Sequence, residues 1–267
     1  MANTKGLRAG GRGLRLVLAS SVLKRLAAWC FETFGLELRR LPDAAGRDPF
    51  LYMKSALRNV PSPVIFDVGA NVGQSITRFR CLWPQSVIHA FEPGRTSFSE
   101  LQRRTAGAER VHLNHAAVGA SAGWHEFQEN SQGDMSSFLD PSQDAWGTIV
   151  DRYEVPVTTV DLYRAERTFP RVDILKIDTQ GFDLQVLHGA RGSLEQGQVR
   201  FVLLELIFAN LYQGQARVDE VFRFLMDHQM HLVSIYDFHF VHDLAGWADA
   251  LFVGVPPATT SSAPGSR

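Results

Sequence analysis

The chain has 267 residues, 45% hydrophobic and 21% charged, an ordinary globular composition with enough apolar material for a full core. Collagen-like, disulfide-framework and wholly disordered classes are thereby excluded. Lys+Arg 27 against Asp+Glu 28 leaves a net charge of -1, so no global positive field exists to hold a polyanion, and nucleic acid is not an expected partner. Cys30 and Cys81 are too isolated to propose a zinc site or a disulfide scaffold; no metal is expected, and a reducing, cytoplasmic interior suits them.

Residues 1–47 read as an amino-terminal extension. Lys5, Arg8, Arg12, Arg15, Lys24 and Arg25 precede the first acid, Glu32, and interleave with Leu14, Leu16, Val17, Leu18, Val22, Leu23 and Leu26. This is the pattern of a basic amphipathic helix. It suits peripheral contact with an anionic membrane at its inner face, and equally a cap packed on the domain. Lys24 and Arg25 interrupt the apolar run before the roughly 20 residues that a bilayer span needs. A signal peptide competes, without a convincing small-residue cleavage site.

Residues 48–255 read as one α/β domain. Apolar, β-branched runs predict strands at Val64–Val68, Ser86–Phe91, Val111–Ala116, Ile174–Ile177, Phe201–Leu206, His231–Ile235 and Ala250–Val253. Helical patterns at Gly73–Leu82, Thr96–Thr105, Gly181–His188 and Val218–His228 alternate with them, the signature of a mostly parallel sheet with helices on both faces. An insertion from about Gly119 to Pro170 carries two strand-like pieces, Trp124–Gln128 and Val155–Thr159, which predict a hairpin. No helix separates the last two strands, only a loop at Asp237–Trp247, so an antiparallel strand is expected at the end of the sheet. Residues 256–267, rich in Pro, Thr, Ser and Ala, read as a disordered tail.

The sharpest local signal is the strand and turn from Val64 to Ser75. Gly69 and Gly73 permit a tight turn and close approach of a ligand. The second strand ends in Phe91-Glu92-Pro93, placing a carboxylate roughly 20 residues after the last glycine, where an acid accepts hydrogen bonds from a ribose. A dinucleotide turn has a middle glycine where Asn71 stands here, and Asp67 would repel a pyrophosphate while attracting the ammonium or sulfonium of S-adenosylmethionine. A plain structural role for Asp67, capping the turn, competes with that reading.

Asp178 stands at the tip of the next strand and Glu205 near the end of the one after it, on the edge where open α/β sheets bind ligands. Two neighbouring carboxylates can orient a hydroxyl, act as general base or hold a divalent cation; a helix cap and a buried loop anchor are the plain alternatives. His239, in the loop after the sixth strand, is a further candidate base. The pairs His112/His115 and His228/His231 read as partly exposed surface residues.

Four blocks together, FDVGANVGQ at Phe66 to Gln74, FEP at Phe91 to Pro93, LKIDTQGFDLQVLHGA at Leu175 to Ala190 and LLEL…LYQGQ at Leu203 to Gln215, resemble the FkbM family of methyltransferases. The resemblance runs from about Asp48 to Gly254. It implies a Rossmann-like class I methyltransferase with a seven-stranded sheet, using S-adenosylmethionine to methylate a hydroxyl of a sugar, glycolipid, polysaccharide or natural product. It assigns Asp67, Gly69, Asn71 and Gly73 to the cofactor loop and Glu92 to the ribose. Ser136 and Ser137 match a paired serine expected near the cofactor or acceptor, and Asp178 matches the acid of the fourth strand. Many members carry Glu where this chain has Gln180. The rival functions are a nicotinamide-dependent oxidoreductase and a noncatalytic, membrane-associated binding protein; the sequence leaves the oligomeric state open.

Overall fold

The computed structural model describes residues 44–254. The basic amphipathic segment before Ala44 and the tail after Gly254 lie outside the described residues. The first described element, a short helix at Ala44–Arg47, is assigned above to the extension; here it packs against a strand of the domain, and the Tyr236 hydroxyl donates to the Ala45 carbonyl.

Seven strands form the main sheet, in chain order β1 (Val64–Val68), β2 (Val87–Phe91), β3 (Val111–Asn114), β7 (Val172–Ile177), β8 (Val199–Ile207), β9 (Met230–Val241) and β10 (Leu244–Gly254), with spatial order β3-β2-β1-β7-β8-β10-β9. The first five are parallel to their neighbours, and β10 is antiparallel to β8 and β9. The strand order reverses at β1 and β7, so their adjacent tips form the crevice where such sheets bind ligands. Burial explains why these runs are strands: β1 presents Ile65, Phe66 and Val68 to layers on both faces, and the two main apolar clusters lie one on each side of the sheet.

Two expectations are corrected at the far edge. The antiparallel strand is inserted, not added: β10 lies between β8 and β9, because its Ala250, Leu251 and Phe252 are fully buried, whereas the partly polar β9 tolerates solvent at the edge. The expected loop at Asp237–Trp247 is mostly strand, closed by a two-residue turn at His242 and Asp243, both with positive φ, as hairpin twist requires.

The insertion forms a second, three-stranded sheet from β4 (Ala117–Val118), β5 (Gly123–Asn130) and β6 (Ile149–Thr158), in the order β4-β6-β5. The β5–β6 pair is the expected hairpin, longer at both ends. A helix at Val160–Glu166, capped by Thr159, ends the insertion and was not foreseen. His228, read as surface, is buried, with Nδ1 against the Phe224 carbonyl. Among the described residues, no helix is long and apolar enough to cross a membrane.

Candidate active site

The turn after β1 is held by backbone. Gly69 and Ala70 N–H groups both donate to the Phe91 carbonyl, and the Asn71 N–H donates to Glu92 Oε2 at 2.8 Å. Asn71 adopts φ 47°, between Gly69 at 75° and Gly73 at 91°, so the chain reverses within five residues. Packing also constrains the two glycines. A Cβ on Gly69 would lie 1.8 Å from the Asp178 carbonyl oxygen, and one on Gly73 would lie 3.0 Å from Leu101 Cδ1. Gly73 begins the helix Gln74–Leu82 and does not line the cleft beyond the strand tips, whereas Gly69 and Asn71 do.

That cleft is lined by Gly69, Asn71, Glu92 and Asp178. Phe91, Pro93, Val118, Phe127 and Phe138 give it apolar walls, with Asp134 and Ser136 at its rim. Glu92 is its buried anion. Gly94 N–H donates to the other Glu92 oxygen at 2.8 Å, so two backbone donors fix the carboxylate plane and leave further lone pairs for a diol. Burial pushes the Glu92 carboxyl up to about 7 against these two hydrogen bonds.

A second cleft opens at the Gly69 turn, between Phe50, Gln74, Arg78, Lys176 and Asp249. Gly69, Asn71 and Asp178 line both. Asp178 is thus at the junction, its side chain 38% exposed. Lys176 Nζ donates to its Oδ2 at 3.2 Å and Gln180 Nε2 to its Oδ1 at 3.1 Å.

Asp67 behaves differently from the expectation. It is fully buried, does not line either cleft, and faces Lys176 Nζ at 3.5 Å across the β1–β7 pair. Its partner in charge is therefore a lysine of this chain. Burial raises the Asp67 carboxyl, with Lys176 opposing; burial also works against the Lys176 ammonium, but Asp178, Asp67 and Asp249 outweigh it and hold the proton on. The sequence signal for Lys176 was a lysine in an otherwise apolar, two-face-buried strand, a position that demands an anion.

Glu205 is beside Asp178, as the strand order predicted, and Gln180 Nε2 reaches its Oε2 at 3.1 Å. Burial raises its carboxyl well above the usual range, Asp178, Asp183 and Asp249 add to the shift, and Lys176 opposes it. Asp249, an acid in an apolar strand, is directly opposite Glu205 on β10. Asp183 holds the turn, accepting from Thr179 and Gly181 N–H groups.

Two further candidates are moved. Ser137 is buried outside the cleft, its hydroxyl donating to the Gln180 carbonyl at 2.8 Å; its neighbour Ser136 is the one that lines the cavity. His239 is an exposed strand residue stacked on Trp247, with ring centroids 5.0 Å apart, and lines neither cleft. Its loop placement failed because the hairpin runs through it. Among the described residues, no group of three or more His, Cys, Asp or Glu side chains is arranged to hold a metal ion.

A sheet of this order, one antiparallel strand included, with an acid at the β2 tip and a glycine turn after β1, defines the Rossmann-like class I methyltransferase architecture. The methyltransferase FkbM domain matches residues 67–238, and the chain belongs to that family. It is a methyltransferase whose cofactor is S-adenosylmethionine, which removes both the oxidoreductase and the noncatalytic reading. Over 171 residues it is 26% identical to the 2-O-methyltransferase NoeI of Sinorhizobium fredii (strain NBRC 101917 / NGR234), covering 60% of this chain and 70% of that one. Solved structures similar to it include magnesium protoporphyrin IX methyltransferase (ChlM) from Synechocystis PCC 6803 with bound SAM, at 10% identity and TM-score 0.46, covering 92% of this chain and 87% of that one. Another is Aeropyrum pernix fibrillarin with natively bound S-adenosyl-L-methionine, at 13% identity and TM-score 0.43, covering 86% and 74%.

The residues present fit that cofactor. The apolar slot ending in a buried, doubly tethered carboxylate suits a flat base on a ribose, whose diol Glu92 would hold. The Asp178 carboxylate, further along the same cleft, complements a sulfonium charge.

Proposed function

We propose that this chain transfers a methyl group to a hydroxyl, on an acceptor of the sugar, glycolipid, polysaccharide or small natural-product class. The observation that carries this reading is Asp178: a partly exposed carboxylate at the junction of two clefts, its orientation fixed by Lys176 and Gln180. When bound, the cofactor would supply an electrophilic methyl carbon and a neutral thioether as leaving group, which keeps the carbon–sulfur electron pair. The protein's share is to hold the acceptor oxygen in line and to receive its proton on Asp178. Such positioning is worth about 7–11 kcal/mol and a base roughly 10²- to 10⁴-fold in rate. Glu205, behind Asp178, is a neighbour of the base; His239 has no part in this arrangement. The 2-O-methyltransferase name of the relative supports the oxygen acceptor.

The test uses methyl-labelled S-adenosylmethionine and a panel of methyl hexosides and deoxyhexosides, with product detected by mass. Asp178→Asn, assayed at saturating cofactor, is expected to lower turnover about 100-fold or more. Turnover by this variant at the level of the unsubstituted chain overturns the assignment of the base.

A further inference from the structure

The turn after β7 contains a hydrogen-bond chain that the reaction as described does not use. Gln180 stands at φ 55°, in the left-handed region that a non-glycine residue occupies only when its surroundings enforce it. Its backbone carbonyl takes the Ser137 hydroxyl, and its side chain reaches three groups: Asp178 Oδ1 at 3.1 Å, Glu205 Oε2 at 3.1 Å and the Tyr212 hydroxyl at 2.7 Å.

The sense of these bonds is determined. An amide has one end that only donates and one that only accepts. Turning the accepting end toward Asp178 would set its oxygen against a carboxylate, so the NH₂ faces Asp178 and gives its second hydrogen to Glu205 Oε2, and the oxygen faces the Tyr212 hydroxyl. Tyr212 is fully buried, and burial together with Glu205 and Asp178 raises its phenol, which remains a neutral donor. Its other neighbour, Met135 Sδ at 3.5 Å, is a much weaker acceptor than the amide oxygen at 2.7 Å. Direction therefore passes from Tyr212 to Gln180 and from Gln180 to Asp178.

We propose that Gln180 and Tyr212 are positioning residues for methyl transfer, the phenol locking the amide and the amide locking the plane of the Asp178 carboxylate toward the acceptor hydroxyl. This rests on the reading of Asp178 as the group that receives the hydroxyl proton. Lys176 fixes the second oxygen of the same carboxylate, so with the amide in place Asp178 has no free rotation, and the lone pairs left over face the cleft junction. An amide suits the position better than a carboxylate, which would add a third acid beside Asp178 and Glu205 and supply no pair of donors.

The experiment compares Asp178→Asn, Gln180→Met, Tyr212→Phe and the Gln180→Met/Tyr212→Phe double variant of the full chain, with the best substrate from the methyl glycoside panel. Gln180→Met keeps side-chain length and removes both donors. It is expected to lower kcat about 10- to 100-fold, with the KM of the glycoside and the affinity for S-adenosylmethionine within about threefold. Tyr212→Phe should lower kcat in the same way by a smaller factor, and the double variant should be no slower than Gln180→Met alone, because the phenol acts only through the amide. An acceptor-free readout accompanies these: in ¹⁵N-labelled protein the two Gln180 side-chain amide protons give separate, slowly exchanging signals that Tyr212→Phe releases to fast exchange, a result that stands even where Gln180→Met does not fold. Losses that multiply in the double variant, a Gln180 amide already in fast exchange in the unsubstituted chain, or unchanged kcat in both single variants while Asp178→Asn is inactive, each overturn the positioning role and leave the base intact. Full activity of Asp178→Asn overturns both.

Discussion

Two turns meet at the centre of this molecule, and they are built by different means. The turn after β1, from Gly69 to Gly73, is held by backbone N–H groups donating to the Phe91 carbonyl and to Glu92. The turn after β7, from Asp178 to Gly181, is held by side chains: Asp183 accepting from Thr179 and Gly181, Lys176 and Gln180 on Asp178, and Ser137 on the Gln180 carbonyl. The first presents an apolar slot with the buried Glu92 carboxyl; the second gathers Asp178, Asp67 and Asp249 around one ammonium. The contrast separates binding, which a shaped backbone can supply, from chemistry, which needs a charge of fixed orientation.

The contact between the turns is the place to break the comparison most severely. Gly69→Ala puts a methyl 1.8 Å from the Asp178 carbonyl at φ 75° and is expected to cost more than about 4 kcal/mol in urea unfolding, or to prevent folding. A stable, active Gly69→Ala protein would show that the turns are not in contact. Next comes Lys176→Met, which strands Asp67 in the sheet interior. A loss of about 3 kcal/mol is expected, and Asp67→Asn in the same chain should restore a large part of it.

The third effect belongs to the cofactor turn alone. Glu92→Gln should weaken S-adenosylmethionine binding about 10- to 100-fold by calorimetry, the worth of charge-assisted hydrogen bonds of ~1.5–3 kcal/mol. The Glu92 carboxyl is raised from 4.5 to about 7 in the folded chain. The folded state therefore holds a proton that the unfolded chain has released, and the stability from this group is complete below 4.5 and lost as pH rises through about 7. Asp183 and Asp249, each pushed up to about 6, act in the same direction at somewhat lower pH. The ligand-free protein should lose stability from pH 5 to pH 8, Glu92→Gln should flatten the upper part of that slope, and cofactor affinity should rise through pH 7 with release of a proton. The smallest effect is expected for His239→Ala: less than about 0.5 kcal/mol in stability, as for an ordinary surface site, and unchanged turnover.

The backbone-built turn was legible in the sequence because glycine spacing and a strand-end acid are local signals. Gly69, Asn71 and Glu92 are where they were expected, and packing also constrains Gly69. Asp178 and Glu205 were legible from strand order. Lys176, Gln180, Tyr212 and Asp249 were not assigned roles, since each acquires one only through a partner that is remote in the chain, Tyr212 acting on Gln180 across 32 residues. Ser137 was displaced by one residue for a related reason: neighbours on an extended segment point to opposite sides, so only pairing decides which faces the cleft.

By itself the sequence determined the seven main-sheet strands, four of the helices between them, the insertion hairpin and the edge of the sheet that carries the site. Hydrophobic periodicity and turn residues act over a few positions and need no partner to be read. Only the tertiary structure decided that Asp67 answers a lysine, that β10 enters the sheet between β8 and β9, and that His239 lies outside the clefts. In each case the outcome depends on which strand becomes a neighbour, and that is set by the burial of whole faces, a property no short stretch of chain possesses alone.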